Sequence, residues 1–307
     1  MFSNILFATT ASPTCDDAAK VAFDLARKYQ ARLHVFHVPG VPTRGFSPFM
    51  VDVRTGEKEE IDENYLSLVK EEMKNTYARQ LAEYDQGDLE VVPGVPHTEI
   101  LRKARREDVD LIVMGAHTRR EDVGASRFRS VVGSTMQKVA KSARCPVLII
   151  SRPCTTCWWY FSHIIFCTDF SKAAQSAFQF ALKAAREIPC KLFLFHAVDI
   201  GPNQAGQAPA QTEIEKRIAE ARRKMEKLYV SQMTDFDNHE MEIWEGIPYV
   251  EILKYVREKQ GDLIVMAHHT REVDPEQALM GSTVEQVVLR ASCPVASVNH
   301  PDKVALA

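Results

Sequence analysis

Asp110-Leu-Ile-Val-Met114 and Asp262-Leu-Ile-Val-Met266 are the same five residues, and their recurrence decides the fold. Working outward, His117-Thr-Arg119 recurs as His269-Thr-Arg271, Gly133-Ser-Thr135 as Gly281-Ser-Thr283, and Cys145-Pro-Val147 as Cys293-Pro-Val295. The first two pairs lie 152 residues apart (262 − 110; 269 − 117) and the last two 148 (281 − 133; 293 − 145). Order is kept, and the first copy carries four extra residues between His-Thr-Arg and Gly-Ser-Thr. A period of about half the chain is too long for a solenoid repeat and reads as two copies of one domain. The 307 residues divide into domains at 1–151 and 161–307, joined by a linker at 152–160.

Each copy alternates strands and helices. Periodicity predicts strands at Ser3–Thr9, Ala31–Val38, Leu89–Val92, Asp110–Gly115 and Pro146–Ile150, with helices at Asp16–Tyr29, Ile61–Tyr84, Pro96–Arg106 and Val132–Ser142. Pro39 to Glu60 reads as a long loop, a lid or partner-binding segment carrying Phe46, Phe49 and Met50, and a polar loop follows Gly115. The second copy predicts strands at His163–Thr168, Lys191–Ala197, Glu240–Glu245, Asp262–Ala267 and Val295–Val298, with helices at Lys172–Glu187, Thr212–Met233, Pro248–Glu258 and Ser282–Arg290. Strict alternation implies two tandem α/β domains, each a five-stranded parallel sheet sandwiched by helices. Ligands of such sheets bind beyond the carboxyl ends of the strands, where strand order reverses. The loops after the first and fourth strands are therefore the places to look.

The net charge of −3 supplies no electrostatic reason to expect nucleic acid as a partner. No apolar run approaches the roughly 18 residues that suggest a membrane span. The start, Met1-Phe-Ser-Asn-Ile5, lacks a basic segment and a cleavage pattern, so no signal peptide is expected. Seven cysteines without framework spacing favour reduced thiols and a cytoplasmic location.

These residues together resemble the universal stress protein family in its tandem form, a Rossmann-like fold akin to the adenine nucleotide α-hydrolases. The carriers are a first strand ending in a Thr-Asp-like pair, a second ending in His-Val, the Asp-Leu-Ile-Val-Met strand, Gly-Ser-Thr opening a helix, and Cys-Pro-Val opening the fifth strand. The resemblance implies a stress-response regulatory protein that binds ATP or AMP, at most with slow hydrolysis, with no metal beyond a nucleotide-associated Mg, and with a homodimer as an expected assembly. It carries over residue by residue. In the first copy Thr10 stands at the acidic position, Val38 follows the strand histidine, Gly115 keeps the first loop glycine, Thr118 replaces the second, and Gly133, Ser134 and Thr135 form the triplet. In the second copy Asp169 keeps the acid, Ala197 follows His196, Ala267 and Thr270 replace both glycines, and Gly281, Ser282 and Thr283 are intact. Glycines let backbone N–H groups approach phosphate, and a helix start favours its charge. A β-branched threonine resists positive φ, so Thr118 and Thr270 point to a different loop conformation.

The same losses keep open a member without nucleotide, its altered pockets serving a protein partner or an apolar small molecule. His117, Arg119, His268, His269 and Arg271 read as phosphate-neutralising groups or as a solvated basic loop. Cys154-Thr-Thr-Cys157 reads as a redox pair, half of a zinc site or an incidental pair, and Trp158 to Phe161 dock the linker between domains, form a dimer surface or pack inside. Asp169 competes with Ser171 as a helix cap, and Cys145 and Cys293 read as buried, inert thiols. No nucleophile–base pair is readable, so no efficient enzyme is expected.

Overall fold

The computed structural model describes the chain apart from residues 12–14, 40–48, 52–57, 61–62, 117, 123–127, 133, 152–160, 202–208, 268–281, 301 and 304–307. The chain divides into two units, Met1–Trp158 and Trp159–Ala307. In the first, the order is β1 (Asn4–Ala8), α1 (Asp16–Tyr29), β2 (Arg32–His37), β3 (Phe49–Val51), β4 (Lys58–Glu60), α2 (Glu63–Thr76), α3 (Ala78–Ala82), β5 (Gly87–Val91), α4 (Pro96–Arg106), β6 (Leu111–Gly115), β7 (Thr118–Asp122), β8 (Phe128–Val132), α5 (Ser134–Ser142) and β9 (Val147–Ile150). In the second it is β10 (His163–Cys167), α6 (Lys172–Glu187), β11 (Lys191–Asp199), α7 (Gln211–Leu228), a single 3-10 turn at Val230–Gln232, β12 (His239–Gly246), α8 (Pro248–Glu258), β13 (Leu263–Met266), α9 (Ser282–Arg290) and β14 (Val295–Ser297).

The five main strands of the first unit lie in the order β9-β6-β1-β2-β5, all parallel. Those of the second lie as β14-β13-β10-β11-β12, also all parallel. Helix packing on both faces explains why Ile5, Leu6, Phe7, Ile164, Ile165 and Phe166 are all inaccessible to solvent. The chain leaves β1 toward β2 on one side and takes up β6 on the other, so strand order reverses between β1 and β6, and likewise between β10 and β13. The aspartate of the repeated motif works at the opposite, amino end. Asp110 Oδ2 accepts the N–H groups of Ser3 and Asn4 at 2.7 and 2.9 Å, and Asp262 Oδ2 those of Ser162 and His163 at 2.8 and 3.1 Å.

Four stretches depart from the sequence expectation. The Pro39–Glu60 loop contains an antiparallel pair, β3 with β4. The polar loop after Gly115 contains another, β7 with β8, in the register Thr118↔Val132 to Asp122↔Phe128. The long helix expected over Ile61–Tyr84 is interrupted at Tyr77, and the one expected over Thr212–Met233 stops at Leu228, just before Tyr229. Both tyrosines turn inward and are 1% and 0% exposed.

Each unit also holds an ammonium between carboxylates where α4, or α8 in the second unit, meets the outer strand. Lys103 on α4 lies 2.7 Å from Glu90 and 3.1 Å from Glu107. In the second unit Tyr255 stands at the position of Lys103, and Lys259 instead reaches Glu240 at 2.7 Å and Glu242 at 2.9 Å, while Lys191 reaches Glu240 at 2.5 Å. The charge has changed places while the pairing is kept. Hydrogen bonds from Lys191 and then Lys259 hold the Glu240 carboxyl down at about 2, against an ordinary 4.5. A depressed carboxyl stabilises the fold above its unfolded pKa and loses that contribution as pH falls through the folded one. The second unit is therefore expected to lose melting temperature from pH 5 to pH 2, and Glu240→Gln to flatten that slope. Identical slopes for parent and variant in thermal scans would show that Glu240 contributes nothing.

Candidate functional site

The carboxyl ends of β1 and β10 share one frame. Thr9 and Thr168 continue the ladder through N–H bonds to the carbonyls of Phe36 and Phe195, both at 3.0 Å. Their carbonyl oxygens accept a hydrogen bond from His37 Nδ1 at 2.8 Å and from His196 Nδ1 at 2.7 Å. A carbonyl can only accept, so Nδ1 carries the proton in both imidazoles. Burial, opposed by the Thr168 bond, lowers the His196 pKa and so disfavours the charged ring. The Thr9 and Thr168 hydroxyls meet Tyr77 Oη and Tyr229 Oη, each at 2.7 Å and buried. Burial pushes both phenols up, Tyr229 to about 12.

The same threonine oxygens accept the N–H groups of Ala11 and Phe170, at 3.0 and 2.9 Å. Those two residues take positive φ values of 54° and 61°. The turn so made presents Thr10 in one unit and Asp169 in the other. Thr10 Oγ1 lies 3.5 Å from Cys15 Sγ. Asp169 is exposed, and its Oδ1 accepts the N–H of Ser171 at 2.9 Å. Ser171 is the cap of α6, its Oγ accepting from the Ala174 N–H at 3.2 Å, so Asp169 supports the cap without being it. The Phe170 ring lies 4.5 Å from that of His196, with Lys224 Nζ 5.8 Å away.

The other predicted residues fall as follows. Val38 follows β2 and is buried, 8% exposed. Ala197 is buried inside β11, paired with Trp244, because that strand runs on to Asp199 rather than ending at Ala197. Gly115 closes β6 opposite Ile150. Thr118 opens β7, an extended conformation that suits a β-branched residue and agrees with the expected change of loop. Ser134 and Ser282 are the first residues of α5 and α9. Both helices connect parallel strands, so both start on the carboxyl side of the sheet. Ser134 is exposed, and Thr135 and Thr283 are half-buried. Gly133, Thr270 and Gly281 lie outside the described residues, as do His117, His268, His269, Arg271, Cys154, Cys157 and Trp158 to Tyr160; Phe161 is buried. Cys145 is buried as expected, while Cys293 is only half-buried. Tyr77 and Tyr229 were not legible as site residues, since a tyrosine near the end of a charged helix carries no local signal of its distant partner.

Among the described residues no three His, Cys, Asp or Glu side chains are grouped to hold a metal, and no helix is long and apolar enough to cross a membrane.

The fold and its switch points define two doubly wound α/β domains, a fold whose ligands generally bind at the switch point. A family model described as the universal stress protein family matches residues 1–151 and 161–299. The universal stress protein MJ0531 of Methanocaldococcus jannaschii is 30% identical over 157 residues, 50% of this chain and 84% of that protein. YxiE of Bacillus subtilis, also a universal stress protein, is 31% identical over 156 residues, 49% of this chain and 99% of that one. The crystal structure of an Archaeoglobus fulgidus universal stress protein superposes with a TM-score of 0.63 at 18% identity, covering 97% of each chain. The chain belongs to the universal stress protein family, with one domain of that family in each half.

Proposed function

We propose that the chain is a cytoplasmic stress-response regulator that takes adenine nucleotide, ATP or AMP, in one or both units. The observation that carries this reading is the twice-repeated start of a helix at the serine of Gly-Ser-Thr, on the carboxyl side of the sheet. Free N–H groups of a helix start and its dipole favour phosphate there. In the first unit Gly115, Gly133, Ser134 and Thr135 would hold phosphates, with Thr118 and Val38 beside them. In the second, Gly281, Ser282 and Thr283 would do so, with Thr270 and Ala197 alongside and Asp169 serving the adenosine. Its exposed carboxylate uses one oxygen on Ser171 and fits a donor from the ligand. Any Mg would arrive with the nucleotide. The reading asks the residues to bind and orient, and hydrolysis would be slow at most. A homodimer belongs to the same family expectation.

One observation favours the second reading, a member without nucleotide that serves a protein partner or an apolar small molecule. In the first unit an antiparallel ribbon stands where a glycine loop would cradle phosphate.

Denaturing the purified protein, identifying released small molecules by mass spectrometry, and titrating ATP calorimetrically separates the two. ATP, ADP or AMP is expected to be released or to bind. Asp169→Ala is expected to weaken binding about tenfold, the worth of one charge-assisted hydrogen bond. An absence of nucleotide in both assays would leave the second reading standing.

A further inference from the structure

We infer that Thr168 with Tyr229, and Thr9 with Tyr77, are positioning residues for the nucleoside end of the ligand, a step that rests on the nucleotide reading above. Thr168 is held from four directions. Its N–H bonds to Phe195, its carbonyl receives His196 Nδ1, its hydroxyl meets Tyr229 Oη, and that hydroxyl also accepts the Phe170 N–H. Thr9 repeats the arrangement with Phe36, His37, Tyr77 and Ala11. Such a lock is needed because the residue after the apex adopts a left-handed conformation, at Phe170 as at Ala11, which a non-glycine residue rarely holds unaided. The apex itself, Asp169, is therefore set by the residues on either side of it together with its own bond to the Ser171 N–H.

Packing alone does not account for the tyrosines. The Tyr229 ring sits among aromatic rings, with its centroid 5.1 Å from Phe166 and 4.8 Å from Phe178, and Tyr77 lies 5.7 Å from Phe7. A phenylalanine would fill those places. A hydroxyl taken into an apolar interior is costly unless it is bonded, and in both units its bond is to the turn threonine. Tyr77 and Tyr229 also stand where α2 and α7 stop, which joins the outer helix to the ligand edge. The two units keep this frame while changing the apex from Thr10 to Asp169. A retained frame around a changed apex is what different ligand contacts on one scaffold require.

The test uses the full chain with ATP and inorganic tripolyphosphate as probes, alongside melting temperature and amide exchange at Phe170. Tyr229→Phe is expected to weaken ATP about tenfold, to leave tripolyphosphate unchanged, and to speed exchange of the Phe170 amide. Thr168→Val should do the same, and Thr168→Ser, which keeps the hydroxyl, should restore the parent's values. Tyr77→Phe tests the first unit in the same way, read at the Ala11 amide. A Tyr229→Phe chain that melts lower yet binds ATP like the parent would overturn the inference. So would equal weakening of both probes, or unchanged exchange at Phe170. A parent that binds no ATP would overturn the nucleotide reading itself and this inference with it.

Discussion

Phe195→Ala is expected to cost the second unit about 3–5 kcal/mol, the usual range for emptying a buried aromatic site. Phe195 lies in β11, flanked by β10 and β12, and is fully buried. Its ring stacks on Tyr255 at 4.3 Å and 17°, and meets Trp244 edge-on at 5.5 Å and 85°. Trp244 and Tyr255 also touch each other, at 5.2 Å and 87°. Removing the central ring strips two partners at once, and neither can close the gap without leaving the strand or helix that carries it. For a unit of this size the loss corresponds to roughly 10 °C in melting temperature. Trp244 fluorescence reports the cluster directly. A two-domain chain need not unfold in one step, so exchange monitored by mass spectrometry should assign the loss to residues of the second unit. A loss under about 1 kcal/mol, or one shared equally by both units, would contradict the packing described.

Gly246→Ala is the next largest, expected to cost about 2 kcal/mol. Gly246 closes β12 with φ +148°, a region that side chains rarely occupy. A Cβ there would sit 2.6 Å from Glu251 Cγ and 2.7 Å from its Oε1. Glu251 is 12% exposed and pairs with Lys254 at 2.8 Å, so it must give up contacts to move. The first unit repeats the arrangement at Gly94, where φ is +157° and a Cβ would lie 2.7 Å from Glu99 Cγ. The cost has two parts, backbone strain and collision, which denaturant titrations of a double-mutant cycle can separate. Glu251→Ala should recover the collision part in the Gly246→Ala background and nothing of the strain. A Gly246→Ala chain as stable as its parent would mean that the turn relaxes freely.

Helices α1, α4, α6, α8 and α9 occupy the spans that periodicity and capping residues predict. Pro96 and Pro248 sit in the first turns of α4 and α8, and Ser171 caps α6, all signals contained within a few residues. The breaks at Tyr77 and Tyr229 were not legible in this way. The apolar and charged pattern runs on through both tyrosines, and the partner each tyrosine hydroxyl meets where the helix ends is a threonine 68 residues earlier in one unit and 61 in the other. Thr118 shows an intermediate case. Its β-branch argued against a glycine-like loop, yet nothing local named the antiparallel ribbon that takes its place.

The sequence by itself determined the duplication, the alternation of strands and helices, and membership in the universal stress protein family, because repeated motifs and residue periodicity are properties of the chain alone. Tertiary structure decided how Asp169 is presented, which tyrosine hydroxyl holds each turn threonine, and that Lys259 does in one unit what Lys103 does in the other. Each of those depends on atoms brought together across the sheet. Distance along the chain carries no information about them until the strands are paired.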